Sequence, residues 1–178
     1  MPANESVKKA LSLIEGDKSK VLGLKVGQHI VEPGQYIPKA DAQSPPELSF
    51  AVPSLSATYL IIGLDIDAPF PSLDVLGPIL HWIQPGLKAE PADGTAPVLK
   101  GTEPFVANYI GPAPPPGSSP HRYIFFLYEQ PAGFDGKKYA PKDGKPLSNW
   151  NRMRASLDSL EKEYSLGPVL AANYFKSN

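Results

Sequence analysis

The chain has 178 residues, no cysteine and a formal net charge of -1, which is the size of one ordinary domain able to bury most of its apolar surface without covalent staples. The absence of thiols excludes a disulfide framework, a cysteine nucleophile and a Cys-based zinc site. Acidic and basic residues are interspersed, so no basic face for a nucleic acid stands out and no nucleic-acid partner is expected. Proline is the outlier, with 22 residues against an ordinary usage of about 5%. Because proline cannot donate to a ladder, these residues belong in the turns and edges of a loop-rich β scaffold.

The first ten residues are polar, carry Glu5, Lys8 and Lys9, and lack the apolar stretch of a secretory signal. The longest apolar run, from Leu60 to Leu64, is far short of the roughly 20 residues that cross a bilayer. A cytoplasmic protein with no transmembrane segment is the expectation.

Val7, Ala10, Leu11 and Ile14 recur at i, i+3, i+4 and i+7. With Asn4 or Ser6 as caps and Gly16 at the end, they predict a short N-terminal helix. From Val21 the period changes to two, Leu22, Leu24 and Val26 alternating with Gly23 and Lys25, and a turn follows at Glu32-Pro33-Gly34. Further strands are predicted over 47–52, 58–65, 79–84, 105–110 and 122–129, each rich in β-branched or aromatic residues and bounded by Pro or Gly. No long helix separates them, so the pairing should be mainly antiparallel. Met153, Leu157, Leu160 and Tyr164 predict one late helix, stopped by Leu166-Gly167-Pro168. The apolar segment 169–175 should return to the core as a strand. With no repeat and no dividing linker, residues 1–178 read as a single domain.

Three places carry candidate chemistry. The run from Gly111 to Pro120 holds five prolines before His121-Arg122-Tyr123, and such stiffness lowers the entropy cost of holding a ligand. It could equally be a displayed PxxP segment or a rigid connection. Asp65 and Asp67 end an apolar strand two residues apart, where both carboxylates could share a face, or could cap a turn or pair with an arginine such as Arg122. His81 sits inside an apolar strand, where a lone histidine is more often a satisfied core residue than a ligand.

The segments LDIDAP at 64–69, LHW at 80–82 and YIGPAPPPGSSPHRYIFFLYEQP at 109–131 resemble, in order and spacing, the DPDAP motif, the pocket histidine and the Y-x-G-P-x-P-P-x-G-x-x-x-H-R-Y motif of the phosphatidylethanolamine-binding protein family. Pro46-Glu47-Leu48-Ser49-Phe50 and Leu166-Gly167-Pro168-Val169 extend the likeness, which is greatest to the fungal branch that includes the carboxypeptidase Y inhibitor. The resemblance implies a mainly β fold, a large antiparallel sheet packed on a smaller one, with a pocket for phosphate, acetate or a phospholipid head group. Carried over by position, Asp65, His81, His121 and Tyr123 line that pocket, Pro112, Ala113 and Pro114 form its wall, and Asp67 with Arg122 makes a supporting ion pair. Ile66 departs from the family's proline, which should aim the acids differently. The chain ends at Asn178 without the C-terminal helix of animal members, which should leave the pocket more open.

The resemblance also implies a binding or regulatory protein, with a protease or signalling kinase as partner, no cofactor, no metal and no catalytic residue. The alternative is an enzyme of fungal metabolism that uses the Asp and His side chains for acid-base chemistry on a small molecule. A metal held by the two histidines and Asp65 is a third reading. A scaffold working through the Pro-rich loop is a fourth.

Overall fold

The structure, a computed structural model, describes residues 5–72, 75–93 and 95–178. Its nine strands are β1 (Gly23–Val26), β2 (His29–Ile30), β3 (Gln35–Tyr36), β4 (Glu47–Ser49), β5 (Tyr59–Asp65), β6 (Ile79–Ala92), β7 (Thr95–Gly101), β8 (His121–Glu129) and β9 (Ala171–Ser177). They form one ladder in the order β2-β1-β4-β7-β6-β5-β8-β9-β3, parallel between β3 and β9 and antiparallel in the other named pairs.

The large and small sheets are thus continuous through β6. Its first half pairs with β5 and its second with β7, and Leu87 is shared, facing Tyr59 on one side and Gly101 on the other. The crossing lies at Pro85-Gly86, where proline interrupts the ladder and Gly86 takes a φ of 68° that suits a residue without a Cβ. The ladder curls on itself, so Leu24, Leu48 and Leu99 of the smaller part pack against Trp82, Phe125 and Phe175 of the larger. The opposite face of the large part is covered by α1 (Glu5–Gly16) and, beyond the single turn α2 (Gly136–Tyr139), by α3 (Leu157–Glu163), through Val7, Ala10, Ile14 and Leu157. Layers on both sides explain why every residue of β5 is buried and why its sequence runs apolar without alternation.

The helix α1 matches the expected period. Its first turn is held from another element: the Ser6 backbone N–H donates to Asp158 of α3 at 2.9 Å and the Ser6 hydroxyl at 2.6 Å. The proposed cap Asn4 lies outside the described residues. The late helix is shorter than its period suggests. It begins after Ser156, whose hydroxyl accepts from the Ser159 N–H, because Arg154 at φ 56° breaks any helix upstream. Met153 therefore lies outside it. Segment 105–110 is not a strand. The N–H groups of Val106 and Ala107 converge on the Ile83 carbonyl, that of Ile110 reaches His81, and one isolated bridge, Ile83 to Ala107, remains. Among the described residues no helix is long and apolar enough to cross a membrane.

Candidate functional site

The end of β5, the start of β8 and the end of β9 meet on the inner face of the large part. Across these ladders Asp65 faces Tyr123, Tyr123 faces Phe175, and His121 faces Ser177. Directly opposed residues of an antiparallel pair share a face, so Asp65, His121, Tyr123 and Ser177 project together.

His81 joins them from β6 through an irregularity. Gly63 pairs with Trp82 and Leu64 with Leu80, so one extra residue, His81, stands between two pairs as in a β-bulge, a device that re-aims a side chain. Its Nδ1 lies 2.7 Å from the Ile110 carbonyl. A carbonyl accepts, so Nδ1 carries a proton and Nε2 is left for other partners. The ring sits edge-on to Tyr123, centroids 5.0 Å apart. Burial above all pushes the His81 pKa below its ordinary value, against the raising effects of the Ile110 carbonyl and of Asp65.

His121 is held at both nitrogens. Nδ1 lies 2.8 Å from Asp65 Oδ2 and Nε2 lies 2.8 Å from the Ser118 hydroxyl. The other Asp65 oxygen accepts from the Asp67 N–H at 2.9 Å. Asp65, His121 and Ser118 are all buried, which strengthens each bond by excluding water. Tyr123 lies against His121 with its ring nearly parallel, centroids 6.4 Å apart. Burial, then the negative charge of Asp65, pushes its hydroxyl pKa up, yet that hydroxyl has no geometrically formed hydrogen bond. Among the described residues two buried side-chain polar atoms have no partner, the hydroxyls of Tyr123 and Ser177, and both belong to this face.

The two acids do not act as a pair on one face. The strand ends at Asp65 and the chain bends, so Asp65 goes to His121 while Asp67 turns to Arg122. There the carboxylate accepts from the Arg122 backbone N–H at 2.8 Å, from Nε at 2.8 Å and from Nη2 at 2.7 Å. Ile66, where the family carries proline, donates its N–H to the Arg122 carbonyl at 3.2 Å, a bond proline could not make.

The Pro-rich loop is fastened at its start by the two bonds between Ile110 and His81. Further on, Gln43 Nε2 donates to the Pro112 carbonyl at 3.1 Å. Pro112 is buried, Ala113 exposed and Pro114 half-buried. A turn closed by the Ser118 N–H on the Pro115 carbonyl, with Gly117 at φ 81°, then delivers Ser118 to His121.

Two functional candidates escaped the sequence analysis. Ser177 is identified only by its register opposite His121. Arg152, 1% exposed, donates to the Leu147, Leu80 and Asn108 carbonyls and to Asn108 Oδ1, with no acid among these partners. It places a buried cation beside His81, and burial lowers its own pKa. Among the described residues no group of three His, Cys, Asp or Glu side chains could hold a metal ion. A separate depression of about 450 Å3, lined by Glu103, Pro104, Phe134 and Lys137 among others, contains none of the residues above.

The phosphatidylethanolamine-binding protein profile matches residues 27–175. The chain belongs to that family. It is 29% identical over 144 residues to the carboxypeptidase Y inhibitor of Saccharomyces cerevisiae, a match covering 75% of this chain and 65% of the inhibitor's length. It is likewise 29% identical over 157 residues to the phomoidride biosynthesis cluster protein N of Talaromyces stipitatus, covering 82% of this chain and 77% of that protein. Among solved structures, the carboxypeptidase Y inhibitor complexed with its cognate proteinase superposes with a TM-score of 0.71 at 26% identity, over 98% of this chain and 94% of that one. The phosphatidylethanolamine-binding protein from Plasmodium vivax superposes with a TM-score of 0.65 at 18% identity, over 99% and 97%, a likeness of fold.

Proposed function

We propose that this protein is a cytoplasmic binding and regulatory module whose pocket takes a small anion, either a phosphate, a carboxylate or the head group of a phospholipid, and which acts on a partner protease. The observation that carries the pocket reading is the buried hydroxyl of Tyr123, left without a partner on a ring that neighbours both His81 and His121. A donor in that position costs about 1–3 kcal/mol while unmet, and an anionic oxygen meets it. The Ser177 hydroxyl is a second such donor. His81 supplies a third when its free Nε2 takes up a proton. His121, with both nitrogens engaged, orients the site and contributes no free donor in this arrangement. The protease half of the proposal rests on similarity to an inhibitor known in complex with its cognate proteinase.

The test is an NMR titration of the His81 and Tyr123 resonances with phosphate and, separately, phosphorylethanolamine. Saturable shifts that vanish in Tyr123→Phe support the pocket, and equal affinities for the two ligands mean that phosphate alone is recognised. Resonances that ignore both ligands sink it. Inhibition of carboxypeptidase Y by the purified protein tests the partner, and undiminished peptidase activity at saturating protein removes that half.

A further inference from the structure

The order Ser118, His121, Asp65 is that of an activated serine. A hydroxyl sits at hydrogen-bond distance from one imidazole nitrogen and a carboxylate at the same distance from the other, 2.8 Å in each case. This is the arrangement by which a weak nucleophile gains a base and the base gains an orienting group. The carboxylate is itself fixed by the Asp67 N–H. With Nδ1–H given to Asp65, the lone pair of His121 lies on Nε2 and faces Ser118. The Ser118 hydroxyl also lies 2.9 Å from the Ser119 carbonyl, and rotation about its C–O bond moves the single proton from that carbonyl to Nε2. Gly117 and the turn closed on the Pro115 carbonyl deliver the serine to the ring.

We propose that Ser118 is a catalytic nucleophile toward small carboxylic esters, with His121 as base and Asp65 as its positioning residue. The Ser118 oxygen attacks the ester carbonyl while its proton passes to His121 Nε2. The carbonyl oxygen becomes an oxyanion, for which the candidate donors are the unpartnered hydroxyls of Tyr123, whose ring stacks beside that of His121, and of Ser177, which pairs with His121 across the ladder. The bond to the alcohol oxygen then breaks and Nε2 returns the proton to the leaving alcohol. Water attacks the acyl-serine through the same base, releasing a carboxylic acid and restoring the hydroxyl. Ser118 is 6% exposed, so the acyl group must be short. The product is a carboxylate, the chemistry proposed above for the pocket's occupant, yet the nucleophile itself stands whether or not anions bind.

The experiment exposes the whole chain to an alkyl fluorophosphonate, maps any adduct by mass spectrometry, and follows p-nitrophenol release from p-nitrophenyl acetate. The expected result is one adduct on Ser118, absent in Ser118→Ala, and turnover at least 10-fold above that variant. No adduct on Ser118, or equal turnover in both proteins, overturns the proposal. Since the chain has no cysteine, Ser118→Cys creates a single thiol whose alkylation reports the base directly. Its pH midpoint should lie well below the roughly 8.5 of a free thiol and move back up when Asp65→Asn is added; an ordinary midpoint, or one indifferent to Asp65, rejects the relay. The phosphate titration on the same samples keeps the two readings apart, because anion binding without a Ser118 adduct removes the esterase and leaves the pocket.

Discussion

His81 and Tyr123 meet edge to face, ring centroids 5.0 Å apart and planes at 78°, with one imidazole nitrogen spent on the Ile110 carbonyl and the tyrosine hydroxyl spent on nothing. The pair therefore offers a bound oxygen one donor already present and one that appears on protonation. In the proposed anion pocket, that difference should make binding respond to pH through His81 in particular.

Anion affinity should fall as pH rises. Burial lowers the His81 pKa in the free protein, and a bound anion favours the protonated ring and raises it. Binding then takes up a proton between the depressed free value and the higher bound value. Affinity is greatest at the acid side of that window and declines through it. Calorimetric titration with sulfate, whose charge is constant here, measures the slope at several pH values between 5 and 8. In His81→Gln the slope should vanish while weaker binding persists; an unchanged slope would assign the proton elsewhere.

The same shift has the opposite sign for the stability of the unliganded protein. Well above about pH 6.5 the imidazole is neutral in the folded and unfolded chains alike. As pH falls below the ordinary value the unfolded chain gains a proton that the buried ring resists, so stability is lost down to the depressed folded pKa. Urea midpoints without anion should drop as pH is lowered from 7.5 to 5.5, with a smaller drop in His81→Gln.

The Asp67 and Arg122 pair should be asymmetric to mutation. The Asp67 side chain is 5% exposed and that of Arg122 is 41% exposed. Arg122→Ala strands a buried carboxylate with only a backbone N–H and should cost about 3–5 kcal/mol. Asp67→Asn keeps an acceptor and frees a guanidinium that already reaches water, for about 1–3 kcal/mol. Equilibrium unfolding of both variants gives the comparison, and a larger loss in Asp67→Asn would contradict it.

What was legible in the sequence follows from how each feature is encoded. The strands β5 and β8 are apolar throughout and bounded by breakers, so periodicity and composition located them. The strand β7 was missed because TAPVLKG contains a proline and buries a single residue, Leu99. Segment 105–110 has strand composition, but its N–H groups converge on two carbonyls of β6 instead of alternating, which is a property of the partner. At the site, Asp65, His81, His121 and Tyr123 were found through their motifs, and the structure brings them together. Ser177 carries no motif and is defined by the β8–β9 register alone. The divergence of Asp65 and Asp67 depends on where β5 ends, at Asp65 itself, so that Asp67 already lies beyond the strand.

A change at Gly63 should propagate into the site. An added Cβ would stand 3.0 Å from Phe125 Cε1 and 3.4 Å from Trp82 Cβ, inside a core where those rings already pack against one another and against Phe175. Overpacking of this kind costs about 1–3 kcal/mol. Gly63→Ala should lower the urea midpoint accordingly and broaden the Tyr123 ring resonances, since Tyr123 stacks on Phe175. A variant as stable as the parent would mean that Phe125 moves aside freely.

Arg152→Lys tests whether a buried guanidinium, and not merely a buried charge, supports the pocket. The planar fork reaches Leu147, Leu80 and Asn108 at once, with distances from 2.6 to 3.2 Å. A lysine offers a compact ammonium that cannot span those oxygens. At least two carbonyls beneath β6 would lose their donor, at a cost of about 2–4 kcal/mol in total. Because Arg152 binds the Leu80 carbonyl, next to His81, the same substitution should loosen the His81 ring and weaken sulfate binding beyond what the retained positive charge would suggest. Arg152→Met, which removes the charge as well, separates the two effects. If Arg152→Lys binds sulfate like the parent and Arg152→Met does not, charge alone is sufficient; if both variants bind equally poorly, the fork's positioning of β6 is what the site requires.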